Sequence, residues 1–266
     1  MHIKRWITGL IALPILIFVI GPGPKWLLYL FILAASLAGL IEFYKIAALK
    51  LPRQIQWINY FLVFILNLLL YQRLILLAPI VILLWAFIPI IYFLVIYPKH
   101  SENFQADVGK VLLGPVYICL PLSMLVMIDI LPNGSYWIFF LLIIVFANDT
   151  GAFYFGRSIG RHKLYEAVSP NKTWEGALGG LFSSLVVALI FLRIIQIHKL
   201  NISIFILVLI MSIVSQIGDL VESMIKRNQG IKDSGNLLPG HGGMLDRIDG
   251  LLFSIPVLYF YLNWAI

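Results

Sequence analysis

The sequence predicts an all-α integral membrane protein that crosses the bilayer about nine times, and three observations support this prediction. Of its 266 residues, 61% are hydrophobic and 12% are charged, and the mean hydropathy is +0.98. A soluble domain has about 45–50% apolar and about 25% charged residues. The apolar residues form runs of roughly 20, the length that an α-helix needs to cross about 30 Å of hydrocarbon. The basic residues collect in alternate gaps between these runs, as they do in polytopic proteins.

Nine apolar runs are long enough to be spans. The first, Trp6–Ile20, follows Lys4-Arg5 as a secretory signal would, but no small-x-small cleavage site follows it and another apolar run begins at once. We therefore interpret it as an uncleaved span. The remaining runs, separated by turn-forming or charged residues, are Trp26–Phe43, Ile55–Tyr71, Leu74–Tyr97, Val111–Ile128, Tyr136–Phe155, Trp174–Ile195, Ile202–Ile225 and Ile248–Ile266. We expect one membrane domain over 1–266, with N-terminal spans in 1–130 and catalytic spans and cytoplasmic loops in 136–266.

The distribution of basic residues predicts the orientation of these spans. The loops on the side of the N-terminus hold 15 of the 19 lysines and arginines, and the other side holds Lys25, Arg73, Arg193 and Lys199. Because cytoplasmic loops are enriched in basic residues, we expect a cytoplasmic N-terminus and an external C-terminus. The same loops account for the net charge of +7, so we expect no nucleic-acid partner. The single cysteine, Cys119, can form no internal disulfide.

The eighth run ends in ionisable residues, which indicate function because a charged group at mid-bilayer costs about 2.5–3.5 kcal/mol. Asp219, Glu222, Ser223 and Lys226 follow the spacing i, i+3, i+4, i+7 and therefore share one helical face. Lys226 and Arg227 could simply be cations of the last helical turn that interact favourably with the negative end of the helix dipole. The dipole does not explain an aspartate two turns earlier.

The loop after the eighth run has the features of a metal–phosphate site. It supplies the cation Lys232 and the glycine-rich turn His241-Gly242-Gly243. Asp246 and Asp249 follow at the helical spacing i, i+3, and a second cation, Arg247, lies directly after Asp246. Glycines leave backbone N–H groups open to an anion beside a positive helix end. Each feature alone could be an ordinary turn or helix start. Together with the acids of the eighth run they favour Mg²⁺, which takes one or two carboxylates plus phosphate oxygens.

A third group of polar residues falls on the same cytoplasmic side. Asp149 ends the sixth run, and Lys172 precedes the seventh. Asp149 could pair with a basic group for structural reasons, and we expect Gly176 and Gly180 to form a small-xxx-small packing pair. Asp149 and Lys172 remain site candidates because both converge on the predicted cytoplasmic face.

The segment Ser223–Asp249 resembles the signature of the phosphatidate cytidylyltransferase, or CDP-diacylglycerol synthase, family. That signature is Ser-x-aliphatic-Lys-Arg, four residues, Lys-Asp-x-small, two residues, then aliphatic-Pro-x-His-Gly-Gly-aliphatic-x-Asp-Arg-aliphatic-Asp, and this chain meets it without a gap or mismatch. The segments Ser169–Gly176 and Asp149–Ala152 also resemble family motifs. Asn171 and Gly250 stand where the family pattern would have Lys and Ser.

The resemblance implies an all-helical homodimer that makes CDP-diacylglycerol and pyrophosphate from CTP and phosphatidic acid, in the lipid bilayer, for phospholipid biosynthesis. It implies Mg²⁺, with the question of an added monovalent cation left open. Asp219 and Asp246 would bind the metal and, with Lys226, form the catalytic group. The expected substrate-binding residues are Ser223, Arg227, Lys232, His241, Gly242, Gly243, Arg247, Lys172 and Asp149. Glu222 and Asp249 are expected to support the metal ligands without touching the metal.

Two other functions compete with this interpretation. A CTP-dependent lipid kinase would transfer the γ-phosphoryl group to a lipid alcohol and release CDP instead of pyrophosphate. A transporter would line a path with charged residues at the bilayer midplane, whereas here they cluster towards one face. A CDP-alcohol phosphotransferase fits less well, because its Asp-Gly-x-x-Ala-Arg start is absent.

Overall fold

The structure is a computed structural model that describes residues 13–47, 51–96, 104–235 and 242–265. Residues 13–20 are helical. The helices that follow are α1 (Lys25–Ala47), α2 (Arg53–Tyr71), a 3₁₀ turn (Ile75–Leu77), α3 (Ala78–Val95), α4 (Phe104–Gly114), a π-helical turn (Pro115–Cys119), α5 (Leu120–Ile130), α6 (Gly134–Ile159), α7 (Trp174–Ile195), α8 (Ile202–Asn228) and α9 (Leu245–Ala265). Two strands, β1 (Lys163–Tyr165) and β2 (Ser169–Thr173), lie between α6 and α7.

The helices confirm the prediction of an all-α polytopic membrane protein. Seven helical segments of the described residues are long and apolar enough to cross a membrane, and they correspond to the second through eighth predicted runs. The described part of the first run is helical, its earlier residues lie outside the described ranges, and the ninth run forms α9. Large apolar side chains are exposed along these helices, for example Leu178, Phe182 and Ile190 on α7. Exposed apolar faces suit a lipid solvent, in which helices satisfy their own backbone hydrogen bonds.

The chain forms two compact units, and the first contains residues 1–127 and 233–246. Its helices α1, α2 and α4 are joined by a buried polar relay. Asn59 Nδ2 donates to Tyr44 Oη at 2.7 Å, and Tyr44 Oη donates to the Val111 carbonyl at 3.0 Å. Gly114 lets α4 approach α1, since a Cβ there would lie 2.7 Å from Leu40 Cδ1. The Asn59 amide N–H, the Tyr44 hydroxyl and the Val111 carbonyl thus satisfy one another within the membrane interior.

The second unit contains residues 128–232 and 247–266. Its helices α6 and α7 pack closely because small residues face the partner backbone. A Cβ on Gly176 would lie 2.7 Å from the Ala152 carbonyl oxygen, and one on Gly180 would lie 2.6 Å from Asn148 Oδ1. The expectation that these two glycines serve packing is therefore confirmed.

The connection between α6 and α7 differs from the loop that we expected from the sequence. Strands β1 and β2 pair in an antiparallel hairpin, with Lys163 opposite Thr173 and Tyr165 opposite Ser169. Neither strand has the apolar alternation that signals a strand, since β2 reads Ser-Pro-Asn-Lys-Thr. The hairpin brings the Ser169–Thr173 segment directly to the start of α7.

Candidate active site

A cleft of about 570 Å³ opens among α6, β2, α7 and α8 of the second unit. Its volume lies within the range of about 300–1,000 Å³ that is usual for ligand pockets. Polar lining comes from Asp149, Lys172 and Asp219, together with apolar side chains such as Phe153 and Leu164. The cleft thus combines charged groups with an apolar wall.

The end of β2 fixes Lys172 in this cleft. Thr173 is the N-cap of α7, and its hydroxyl oxygen accepts the Gly176 N–H at 3.1 Å, which satisfies one of the unbonded donors of the first turn. The Trp174 N–H donates to the His162 carbonyl at 2.9 Å and holds the hairpin against this helix start. Lys172 Nζ then reaches Asp219 Oδ2 at 2.6 Å. The structure thus places Lys172 against Asp219 of the eighth run, and the substrate-binding role of Lys172 stays a prediction.

The acidic face of α8 also agrees with the sequence spacing. The helix runs unbroken through Asn228, and Ser223 Oγ donates to Asp219 Oδ1 at 3.4 Å, one turn away. Asp149 on α6 and Asp249 on α9 lie within electrostatic range of Asp219. Lys172 acts on both of these aspartates, and Arg247 acts on Asp149. Arg157 also lines the cleft, so three carboxylates and three cations meet here, a mixture that suits a phosphate bound together with a metal cation.

Behind these acids, an amide junction ties three helices together. Gln216 Nε2 on α8 donates to Asn148 Oδ1 on α6 at 2.9 Å and to the Ala177 carbonyl on α7 at 3.0 Å. Asn148 Nδ2 donates to the Ser212 carbonyl at 3.3 Å. Asn148 immediately precedes Asp149, and Gln216 lies one turn before Asp219. This junction was not predicted from the sequence, although two amide side chains in apolar runs are a signal for it.

Further along α8, Glu222 and Lys226 form a buried ion pair, with side chains 1% and 11% exposed. Arg227 is exposed and donates to the Ile231 carbonyl at 3.1 Å and, more weakly, to the Val168 carbonyl at 3.5 Å. Lys232 and Arg247 are exposed, whereas Asp249 is half-buried. The roles assigned to Lys226 and Arg227 towards substrate therefore remain predictions.

The first unit holds the glycine-rich turn and Asp246. Asp246 Oδ2 accepts N–H groups from Gly243 at 2.8 Å and from Ser234 at 3.0 Å. Gly242 has φ of +80°, a left-handed conformation that favours glycine. Gly243 is buried, and a Cβ there would overlap Ser234 Oγ. The predicted tight turn before α9 is present, whereas His241 lies outside the described residues.

Glu42 on α1 is the residue that sequence reasoning missed. Its carboxylate is 6% exposed and accepts hydrogen bonds from Ser234, Met244 and Leu245 of this same loop. A glutamate near the end of an apolar run is itself a functional signal. It was overlooked because the polar residues of the sixth and eighth runs are more numerous.

The donor chemistry of these residues fits Mg²⁺, which prefers carboxylate and phosphate oxygens. Within the described ranges, no group of three or more His, Cys, Asp or Glu side chains has a geometry that could hold a metal ion. Asp219 and Asp246 belong to different units, so their shared metal remains a prediction.

Comparison with known proteins identifies the family. A sequence model described as the cytidylyltransferase family matches residues 3–265. The phosphatidate cytidylyltransferase of Bacillus subtilis (strain 168) is 42% identical over 165 residues, which cover 62% of this chain and 61% of that protein. The phosphatidate cytidylyltransferase of Staphylococcus haemolyticus (strain JCSC1435) is 50% identical over 127 residues, and that of Staphylococcus aureus (strain COL) is 49% identical over 129 residues. Each of these two matches covers 47% of this chain and 48% of the relative. The chain therefore spans between half and three-fifths of the curated relatives that it matches, and because the family model covers nearly all of it, this chain belongs to the cytidylyltransferase family.

Proposed function

We propose that this protein transfers the cytidylyl group of CTP to phosphatidic acid, which gives CDP-diacylglycerol and pyrophosphate. The observation that carries the proposal is the family match over residues 3–265, together with curated relatives that bear the name phosphatidate cytidylyltransferase. The cleft chemistry supports it. Lys172 and Asp219 share the cleft with Phe153 and Leu164, and this mixture suits a substrate with a phosphate headgroup and acyl chains.

The proposed reaction is an in-line displacement at phosphorus. A phosphatidate oxygen forms a bond to the α-phosphorus of CTP, while the bond from that phosphorus to the oxygen bridging to the β-phosphate breaks and pyrophosphate departs. A phosphate monoester has a second pKa near 6, so the nucleophile is largely dianionic at neutral pH and needs no base. The work left to the protein is positioning the substrates and neutralising their charge.

Specific residues are suited to these tasks. The Lys172 side chain lines the cleft, and its buried ammonium, now 2.6 Å from Asp219 Oδ2, can turn to a phosphate oxygen that enters it. Asp219 and Asp246 would hold Mg²⁺, which when bound polarises the α-phosphate and offsets charge on the leaving pyrophosphate. Lys226, Arg227, Lys232 and Arg247 are proposed to add positive charge along the triphosphate or the lipid phosphate. Gly242 is proposed to present its backbone N–H to phosphate, and Gly243, whose N–H is donated to Asp246 Oδ2, to shape the turn.

The finer features of the membrane arrangement belong to the same proposal. Nine spans, a cytoplasmic N-terminus and an active site facing the cytoplasm follow from the apolar runs and from 15 basic residues on one side. A cytoplasmic site is where CTP is available. The inner membrane and a homodimer are proposed from the family resemblance.

The decisive experiment measures where the α-phosphate label of CTP ends and which products are released. Purified protein in detergent receives CTP labelled on the α-phosphate, phosphatidic acid and Mg²⁺, and we expect label in a lipid together with released pyrophosphate. A lipid kinase would instead leave the label in CDP, and a transporter would produce neither product. Both results would contradict the proposal.

A pair of substitutions tests the proposed metal ligands. We expect Asp219→Asn and Asp246→Asn each to lower turnover more than tenfold, which corresponds to about 1.4 kcal/mol of transition-state stabilisation. Glu166→Gln is the matched control, because Glu166 is an exposed acid in the hairpin turn and lies outside the cleft lining. Retention of more than a tenth of wild-type activity would contradict direct metal binding by the substituted aspartate.

A further inference from the structure

A buried carboxylate of α1 lies at the centre of the loop that carries Asp246. Glu42 Oε2 accepts the Ser234 hydroxyl at 3.0 Å and the Leu245 N–H at 2.9 Å, and Oε1 accepts the Met244 N–H at 3.0 Å. Both oxygens of Glu42 are thus engaged by donors from one short segment of the chain. All of these residues lie in the first unit.

The surroundings of this carboxylate are closely packed. A Cβ on Gly235 would lie 2.7 Å from Glu42 Oε1, and one on Gly243 would overlap Glu42 Oε2. Glycine at these two positions therefore lets the loop backbone close over the carboxylate. The enclosure explains why Glu42 is only 6% exposed.

Neighbouring atoms of the same loop segments donate hydrogen bonds to both Glu42 and Asp246. Ser234 donates its hydroxyl to Glu42 and its N–H to Asp246 Oδ2, the latter at 3.0 Å. Gly243 donates its N–H to Asp246 Oδ2 at 2.8 Å, and the next two N–H groups along the chain go to Glu42. Glu42 and Asp246 therefore both accept hydrogen bonds from the same two parts of the loop, Ser234 and the stretch from Gly243 to Leu245.

From these contacts, we propose that Glu42 is a positioning residue that anchors the loop at residues 234–235 and 243–245 and thereby orients the carboxylate of Asp246. Glu42 does not contact substrate, because its two oxygens are directed at loop donors. Its effect on turnover rests on the proposed cytidylyltransferase activity, whereas its effect on the loop does not. Residues that orient metal ligands typically change metal affinity or activity about 10- to 100-fold when they are substituted.

The test compares three variants of the full-length protein in detergent. Glu42→Ala removes all three acceptor contacts, whereas Glu42→Gln can keep an oxygen towards Ser234 and Leu245 but turns an amide donor towards Met244. Asp107→Asn is the matched control, since Asp107 is a buried acid of the same unit, 6% exposed, that is paired with Lys110. Each variant is measured for amide hydrogen exchange without substrate, for kcat, and for the Mg²⁺ concentration that gives half-maximal rate.

We expect faster exchange at Ser234, Gly243, Met244 and Leu245 in Glu42→Ala, a smaller increase in Glu42→Gln, and wild-type exchange at these amides in Asp107→Asn. The half-maximal Mg²⁺ concentration should rise about 10- to 100-fold in Glu42→Ala and less in Glu42→Gln. If Glu42→Ala does not fold, Ser234→Ala replaces it, because that change removes one donor and should loosen the same amides.

The two levels of the proposal can fail separately. Unchanged exchange in the loop of the Glu42 variants would overturn the positioning role, whether or not the protein makes CDP-diacylglycerol. Loss of turnover with an unchanged loop would overturn it too, since Glu42 would then act on substrate directly. A loosened loop in a protein whose wild type yields no CDP-diacylglycerol would uphold the positioning role and overturn the proposed function.

Discussion

The buried ion pair on α8 allows a quantitative prediction about stability. The Glu222 and Lys226 side chains are 1% and 11% exposed, whereas those of Lys172 and Asp219 are 26% and 37% exposed. Removing one partner of a buried pair leaves a charge in a poorly solvated site and costs about 3–5 kcal/mol. The partly exposed pair is closer to a surface pair, whose loss costs at most about 1 kcal/mol. Lys226→Met should therefore destabilise the protein far more than Lys172→Met.

Thermal unfolding in detergent measures this difference. At about 2–4 °C per kcal/mol, Lys226→Met should lower the melting temperature by about 6–20 °C and Lys172→Met by at most about 4 °C. The double variant Glu222→Gln/Lys226→Met removes both charges and should recover most of the loss, because a buried pair can be replaced by uncharged side chains at little cost. Equal melting temperatures for the two single lysine variants would refute the reasoning from burial.

The same double variant separates stability from catalysis. If it is folded and inactive, a charge on Glu222 or Lys226 is needed for turnover, as the sequence prediction for Lys226 requires. If it is folded and as active as wild type, the catalytic role predicted for Lys226 is wrong.

Three further predictions follow from the site and the topology. In a protein whose native cysteine has been replaced, a cysteine at the exposed position of Lys232 should resist impermeant thiol reagents applied to intact cells. A cysteine added after Ile266 should react with them. The reverse pattern would contradict the predicted orientation. Thr173→Ala should cost about 1 kcal/mol and speed amide exchange at the start of α7, and an unchanged melting curve would count against the capping interaction. His241→Gln should lose much less activity than Asp246→Asn, because a dianionic phosphate needs no base; equal losses in variants that still bind CTP would show that the base-free mechanism is wrong.

The helical spans could be predicted because every segment in contact with lipid must meet the same requirements of composition and length. Any segment that crosses hydrocarbon must be apolar over about 20 residues and must satisfy its own backbone, so composition alone locates it. The acidic face of α8 was equally accessible, since Asp219 and Ser223 sit four residues apart on one continuous helix and interact there. Both predictions depend on local periodicity.

Contacts between distant parts of the chain could not be predicted in this way. Lys172 pairs with Asp219, and Gln216 bonds to Asn148, only because particular helices pack side by side. The β1–β2 hairpin was missed because its strands are short, polar and half-exposed, so that its stability comes from the ends of α6 and α7. Glu42 was missed because its donors lie about 190 residues further along the chain.

That separation also bears on how the protein is made. Glu42 and Ser234 are 192 residues apart, and ribosomes add about 5–20 residues per second, so the acceptor is synthesised on the order of 10–40 s before its donors. During that interval, α1 carries a carboxylate whose partners in the loop do not yet exist. We therefore expect the nascent first unit to keep this end of α1 hydrated until the loop emerges. Insertion of α1 to its final depth would then wait for the loop, although α1 leaves the ribosome well before the loop does.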